Sequence, residues 1–144
     1  MGLESKNLFF QFSTPIHLSK LMDEIPFDSR KTDGSSVSLV RNGHSYWIDI
    51  LSQSDTSEGL SIRIALCNPM TAFSIELKKL LKELFLFDPK GLLKDRDSRS
   101  IYNKVDSGAW NELMENYAVR KATFSSLYPN IEEQAVSATE IKRS

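Results

Sequence analysis

Few side chains in this sequence combine reactivity with a neighbour able to activate it. Cys67 directly precedes Asn68-Pro69, a predicted helix start, and a thiol at a helix N-terminus can have a lowered pKa and act as a nucleophile. The available bases would be His17 and His44, the two histidines of the chain. Strand-end cysteines are more often small buried residues, and histidines beside turns are usually solvated. The sequence therefore favours a protein that is not an enzyme and leaves a Cys/His site as an alternative.

The sequence contains no recognisable metal-binding or cofactor-binding motif. A single cysteine excludes an internal disulfide framework and a cysteine-based zinc site, and neither histidine has a second ligand at suitable spacing. The six glycines form neither a Gly-x-Gly-x-x-Gly nor a Walker-type phosphate loop. We therefore predict no catalytic residue, no metal site and no cofactor.

Composition indicates a globular chain. Of the 144 residues, 40% are hydrophobic and 26% are charged, and the net charge is -1. This balance argues against a nucleic-acid partner, which requires a basic surface. No apolar run approaches the ~20 residues of a membrane span, and the first residues lack the apolar core of a signal peptide. We expect a cytoplasmic protein without membrane contact, whose oligomeric state stays open.

The N-terminal part predicts a strand followed by a short helix. Residues 8–12 are rich in aromatic side chains, which favour a pleated strand. Thr14-Pro15 is typical of a helix start, because the hydroxyl caps free amides and proline at the first helical position loses no hydrogen bond. Apolar residues at helical spacing follow up to Ile25, and Pro26 ends the predicted helix.

Asn42-Gly43 predicts a β-hairpin. Both residue types tolerate the positive φ angles that a two-residue type I′ turn requires. In this register Leu39 lies opposite Tyr46 and Val37 lies opposite Ile48. Apolar residues then share one face of the sheet, which supports the register.

A further strand and two longer helices follow the hairpin. Residues 60–67 alternate in polarity, as expected of a strand. Asn68-Pro69 then opens a predicted helix, and Asp106 or Ser107 caps another that ends near Tyr128-Pro129. The apolar stripe of the first of these helices consists of Phe73, Leu77, Leu80, Leu81 and Leu84.

Polar and charged segments between these elements predict loops. Residues 28–36 and 52–59 are crowded with serine and acidic residues, and the charged stretch within residues 92–105 predicts an exposed excursion. Loops on a rigid sheet are common recognition sites. Within the sheet, Asp49 and Arg63 are expected on neighbouring strands as a cross-strand salt bridge.

The predicted order of elements is typical of an α+β fold. We expect an antiparallel sheet of about four strands, including the Asn-Gly hairpin, packed by helices, with a mostly helical C-terminal third. No linker divides the chain, so residues 1–144 are predicted to form one α+β domain. Residues 130–144 are expected to form a short appended or frayed tail.

Three segments carry a resemblance to a known class of proteins. They are Tyr46-Trp47-Ile48-Asp49-Ile50-Leu51, Ile62-Arg63-Ile64-Ala65-Leu66 leading into Asn68-Pro69, and the helix from Trp110 through Tyr117 to Tyr128-Pro129. In these segments the chain resembles the immunity proteins of bacterial polymorphic toxin systems. The resemblance implies a cytosolic α+β protein that binds and occludes a cognate toxin domain. The near-neutral charge departs from the acidity of many partners of basic nuclease toxins, and no site residue carries over.

The candidate partner-binding residues belong to two alternative surfaces. They are Tyr46, Trp47 and Arg63 if the second face of the sheet is open, and otherwise Arg96, Arg99 and Tyr102 in the charged excursion. Aromatic residues and arginine are enriched among the hot spots of protein interfaces. The alternatives to an immunity protein are a small enzyme or ligand-binding domain with the Cys/His site, and an adaptor or chaperone for a secreted effector.

Overall fold

The computed structural model describes residues 5–138, which contain seven strands and three helices. In chain order these are β1 (Ser5–His17), α1 (Leu18–Glu24), β2 (Ser29–Asp33), β3 (Ser36–Asn42), β4 (Trp47–Ser52), β5 (Thr56–Ala65), α2 (Met70–Phe87), β6 (Leu92–Asp95), β7 (Ser100–Tyr102) and α3 (Ser107–Leu127). The strands form one antiparallel sheet in the order β2-β3-β4-β5-β1-β6-β7. The predicted α+β class is confirmed, whereas the expected number of strands is too low.

Helices α2 and α3 cover one side of the sheet, which we call the helix-covered face. The apolar stripe predicted for α2 is buried in full: Phe73, Leu77, Leu80, Leu81 and Leu84. The Phe85 ring meets the Phe10 ring of β1 edge-on at 5.0 Å, and Tyr117 of α3 contacts Phe73 at 4.5 Å between centroids. Each large apolar side chain buried here contributes about 1.5–3 kcal/mol. Within residues 5–138, no helix has both the length and the apolar content to span a membrane.

Strand β1 extends well beyond the predicted residues 8–12. It continues through Thr14-Pro15, where the sequence predicts a helix start, and α1 begins only at Leu18. The pairing of β1 with β5 shifts register in this stretch, and Asp88 accepts hydrogen bonds from the Ser13 amide and hydroxyl at 2.7 and 2.8 Å. These long-range contacts hold the segment extended, so the predicted helix start is wrong.

Strands β3 and β4 form the predicted hairpin, but their connection is not the predicted type I′ turn. Neither Asn42 nor Gly43 has a positive φ angle. Residues 43–46 form the loop instead, and the Gly43 amide donates a hydrogen bond of 3.0 Å to the Tyr46 carbonyl. The Tyr46 ring also packs on Gly43, where a Cβ atom would lie 2.7 Å from it. Packing of an aromatic ring on the glycine thus replaces the tight turn.

The longer loop moves the register of the hairpin. Val37 pairs with Ser52 rather than with Ile48, and Leu39 pairs with Ile50. The predicted register is therefore wrong, but the shift is an even number of residues, so every side chain keeps its predicted face.

Two segments predicted as loops form hairpins at the edges of the sheet. Strand β2 lies within residues 28–36, and its residues are all exposed, so no apolar alternation marks it. Gly34, with a φ of 63°, occupies the tight turn between β2 and β3. At the other edge, β6 and β7 arise from residues 92–105, and Asp95 at the end of β6 is fully buried. The expectation of an exposed excursion is wrong for this buried part.

Helix α3 has the predicted ends. The Asp106 side chain caps it by accepting a hydrogen bond of 2.9 Å from an amide of the first turn, and the helix ends directly before Tyr128. Of the predicted tail 130–144, residues 131–138 run back to the sheet and contact β4 and the segment that follows β5. Residues 139–144 lie outside the described part of the chain.

Candidate functional site

The sheet side opposite the helix-covered face carries no helix within residues 5–138. Side chains alternate between the two faces of a strand, so the neighbours of the core residues lie on this side. Cross-strand pairing aligns one of them from each strand in a single row: Lys31, Ser38, Leu51, Ser61, Phe9, Lys94 and Ile101. This row and the adjacent Trp47, Arg63 and Arg96 form a surface that we call the open face. All of these residues are half-buried or exposed.

Phe9 stands at the centre of the open face. Its ring lies on Gly59 of β5, where a Cβ atom would come within 2.2 Å of it. The Arg96 guanidinium lies 4.6 Å from the centroid of the same ring, as in a cation–π contact. Two depressions of about 330 Å³ each flank the ring, one towards Leu51 and one towards Pro15. Phe9 and Arg96 therefore form an oriented pair of side chains between two depressions of the open face.

Asp49 anchors the C-terminal segment to the open face. Its carboxylate accepts hydrogen bonds from the Trp47 indole at 3.1 Å, the Ser137 hydroxyl at 2.9 Å and the Ala138 amide at 2.8 Å. Asp49 and Arg63 are cross-strand neighbours, as predicted, but the expected salt bridge between them is not formed. The returning C-terminal segment supplies the donors instead, which leaves Arg63 without an anionic partner among the described residues.

Unpaired cations are a general feature of the open face. No carboxylate among residues 5–138 lies within 4.0 Å of its four basic side chains, which are Lys31, Arg63, Lys94 and Arg96. By contrast, Arg41 on the helix-covered face and Arg120 on α3 both have such partners. The positive charge of the open face is therefore available to a ligand.

The predicted partner-binding residues divide between the two sides of the sheet. Three of the six lie together on the open face: Trp47, Arg63 and Arg96. Tyr46 lies in the β3–β4 loop, and Arg99 lies in the β6–β7 turn with a φ of 65°. Tyr102 lies on the helix-covered face, where its hydroxyl donates to Glu112 at 2.6 Å, and burial together with this hydrogen bond raises the pKa of Tyr102 to about 12. The structure thus combines members of both predicted groups into one surface.

Sequence reasoning missed the ion pairs that two buried cations form on the helix-covered face. The Arg41 guanidinium donates to both Glu76 and Glu83 of α2, and Lys6 Nζ lies 2.6 Å from Asp95 Oδ2. Burial opposes the charge of Arg41, but the two carboxylates outweigh it and raise the arginine's pKa. The signal was present in the sequence, because Arg41 and Asp95 each continue an alternating apolar strand at a position that faces the core.

The residues of the alternative Cys/His site are not arranged for nucleophilic catalysis. The Cys67 side chain is buried, and burial raises the pKa of its thiol, which keeps it protonated near neutral pH. His17 lies opposite Thr56 at the far end of β5 from Cys67, a separation of about 30 Å along the strand. His44 is exposed in the β3–β4 loop. Among the described residues, no group of three His, Cys, Asp or Glu side chains is placed to hold a metal ion.

Tyr117 provides a test of the packing of α3 against the hydrophobic core, where its ring contacts Phe73 of α2. Its side chain is fully buried, and its hydroxyl is the buried side-chain polar atom that lacks a hydrogen-bond partner within residues 5–138. We expect Tyr117→Phe to leave the free energy of unfolding unchanged or to increase it by about 1 kcal/mol, because an unsatisfied buried hydroxyl is removed. Urea denaturation measures this, with Tyr102→Phe as the matched control that loses a hydrogen bond. A loss above about 1 kcal/mol for Tyr117→Phe would contradict the expectation.

Comparisons with protein-family models, curated proteins and solved structures find no match to this chain. They therefore assign no family and leave the resemblance to immunity proteins without independent support.

Proposed function

We propose that the protein is a non-catalytic binding module that engages a protein partner through the open face. The observation that carries this proposal is the row of accessible side chains that crosses all seven strands. At a strand spacing of about 4.8 Å the row is about 29 Å wide. Each partner in a standard protein interface buries about 800 Å², a patch of similar width.

The chemistry of the open face supports protein binding. Leu51 and Ile101 are apolar side chains with exposures of 41% and 61%, and Phe9 lies between them in the row. Arg63 and Arg96 add the residue type that is most enriched, with aromatic residues, at interface hot spots. The row lies on a hydrogen-bonded sheet, so binding costs little backbone conformational entropy.

The resemblance to immunity proteins supplies a partner class for this surface. Under the proposal, the open face covers the active cleft or the docking site of a toxin domain and blocks it by occlusion. Such a mechanism needs a preformed surface and no reactive group, in agreement with the buried, protonated thiol of Cys67.

A substitution at the centre of the row tests the proposal. Ser61 is half-buried between Leu51 and Phe9, so Ser61→Trp would place a large ring where a partner must approach. We expect Ser61→Trp to reduce the amount of partner captured from lysate of the source organism by about tenfold or more. Quantitative mass spectrometry compares it with the wild-type protein and with Ser126→Trp, the same change at an exposed position of α3.

The comparison between the two tryptophan variants is the decisive result. Equal capture by Ser61→Trp and Ser126→Trp would contradict binding through the open face. Thermal denaturation of both variants shows whether a loss reflects unfolding. Tryptophan suits the half-buried strand position of Ser61, so we expect the melting temperature of Ser61→Trp to stay close to that of the wild type. Trp47→Ala is a poorer probe, because the indole also donates to Asp49 and its removal disturbs the C-terminal segment.

A further inference from the structure

We infer that the partner of the open face presents an acidic protein surface, and that Arg63 and Arg96 are the residues that bind its carboxylates. This inference rests on the proposed function and adds the chemical character of the partner. It follows from the position of the two arginines and from the hydrogen bonds that the acidic residues around them make to other donors.

The two arginines lie on either side of one residue. Asn7 of β1 is the cross-strand partner of Arg63, and the Asn7 carbonyl accepts a hydrogen bond of 3.1 Å from the Arg96 amide. The Arg96 guanidinium is held on the Phe9 ring at 4.6 Å. A guanidinium held in this way is oriented before binding, and a planar guanidinium can bind a carboxylate with two parallel hydrogen bonds.

The acidic residues near this pair are bound to other donors. Asp49 accepts hydrogen bonds from the Trp47 indole and from the C-terminal segment. Asp97 accepts two hydrogen bonds from Asn7, at 2.9 and 3.3 Å, and lies 3.5 Å from Arg120. Neither carboxylate is within ion-pair distance of Arg63 or Arg96, so the charge presented by the pair is positive.

The surroundings of the pair extend the same positive charge. Lys94 stands beside Phe9 in the row, and Lys31 lies at the β2 edge of the sheet. The acidic residues that remain nearby are Glu58 at the rim of the depressions and Asp33 at the end of β2. An acidic surface complements this distribution, while a basic one would place like charges opposite each other.

A protein surface fits this face better than a nucleic acid. Binding of single strands on a sheet uses exposed aromatic rings on which bases stack. The Phe9 ring contacts the Arg96 guanidinium and lies against Gly59 of β5, so part of the ring is covered within the protein. Leu51 and Ile101, the other apolar residues of the row, offer no ring to a base, and the half-buried Trp47 indole is held by its hydrogen bond to Asp49. Aliphatic side chains beside unpaired arginines are suited to a protein surface that mixes carboxylates with apolar groups.

The probe for this inference is a poly-L-glutamate peptide of about 20 residues, the number that one side of a protein interface contributes. Amide NMR spectra of the full-length protein are followed during titration with this peptide, with poly-L-lysine and with an oligothymidylate of similar length. We expect poly-L-glutamate to shift the resonances of Asn7, Phe9, Arg63 and Arg96, and to lose affinity as salt rises. Poly-L-lysine should leave them unchanged. Absence of these shifts, or tighter binding of oligothymidylate at the same residues, would overturn the inference.

A pair of matched charge variants makes the test specific. Arg63→Gln with Arg96→Gln should weaken poly-L-glutamate binding about tenfold or more, because two charge-assisted contacts are lost. Lys79→Gln with Lys82→Gln removes the same charge from the exposed side of α2 and should change the affinity less than about twofold. Equal losses in the two pairs would show that net charge rather than the arginine pair governs binding, and would overturn the inference.

Failure of this inference can be told apart from failure of the proposed function. If the captured protein is lost with Ser61→Trp but retained by the Arg63→Gln, Arg96→Gln variant, the open face binds a partner and the acidic character is wrong. If Ser61→Trp captures as much as the wild type, the proposed function itself is wrong, and the arginine pair has no partner to recognise on this face.

Discussion

Lys6→Met is expected to lower the free energy of unfolding by about 3–5 kcal/mol, the range observed when one partner of a buried ion pair is removed. Lys6 Nζ lies 2.6 Å from Asp95 Oδ2, and the two side chains are only 3% and 0% exposed. Without the ammonium group, the Asp95 carboxylate stays in the core with no neutralising charge at contact distance, while methionine fills the space of the aliphatic stem. Urea denaturation of the wild type and the variant measures the difference.

The double variant Lys6→Met, Asp95→Asn separates the buried charge from the loss of packing. Asp95 Oδ1 also accepts hydrogen bonds from the Asp97 and Ser98 amides at 3.0 and 3.3 Å, which an asparagine oxygen can retain. We expect the double variant to recover most of the lost stability, since no uncompensated charge is left in the core. A surface control is Lys104→Met, whose ion pair with Asp106 is exposed and should contribute little to stability. A change within about 1 kcal/mol for Lys6→Met would contradict the expectation.

Arg41→Met should cost about 3 kcal/mol, at the lower end of the range for buried ion pairs. Arg41 is as deeply buried as Lys6, with 3% of its side chain exposed, and it joins β3 to two carboxylates of α2. Glu76 and Glu83 are 19% and 23% exposed, so each can turn towards water when the guanidinium is gone. That route to solvent is closed to Asp95, which is why the effect of Arg41→Met should be smaller than that of Lys6→Met.

Neutralising the two glutamates tests this explanation. The triple variant Arg41→Met, Glu76→Gln, Glu83→Gln should be more stable than Arg41→Met alone, because no carboxylate is left against the core. Urea denaturation measures both, and circular dichroism checks that α2 keeps its helical content. Equal or lower stability of the triple variant would show that the cost of Arg41→Met arises from lost packing of the arginine stem rather than from unpaired charge.

The sequence predicted those elements whose signals are local. The stripe of α2 repeats at helical spacing, and the Asp106 cap of α3 lies within one turn of the amide that it binds. Alternation likewise marked the core strands β3, β4 and β5 and assigned their side chains to the correct faces. Strand β2 carried no such signal, because an edge strand with both faces in water needs no apolar residue.

The candidate site was only partly predictable, because its residues come together through the pairing of strands that are distant in the sequence. Trp47, Arg63 and Arg96 were named from residue type, and the alternation placed Trp47 on the second face, but nothing local showed that this face is open. The sequence separated Arg63 from Arg96 into alternative groups, since the two are brought together only by the pairing of β1 with both β5 and β6. Phe9 was missed as part of the site. Its neighbours Leu8 and Phe10 face the core, so alternation along the strand places Phe9 on the opposite face.

By itself, then, the sequence determined the α+β class, the apolar stripe of α2 and the faces of the central strands, because each is marked by a pattern that repeats within a few residues along the chain. The tertiary structure alone decided that Thr14-Pro15 stays extended, that the β3–β4 loop packs Tyr46 on Gly43, and that the C-terminal segment occupies Asp49. Each of these outcomes depends on a partner far away along the chain or on a ring that competes with a turn. The C-terminal segment at Asp49 thereby leaves Arg63 without an anionic partner among residues 5–138 on the open face.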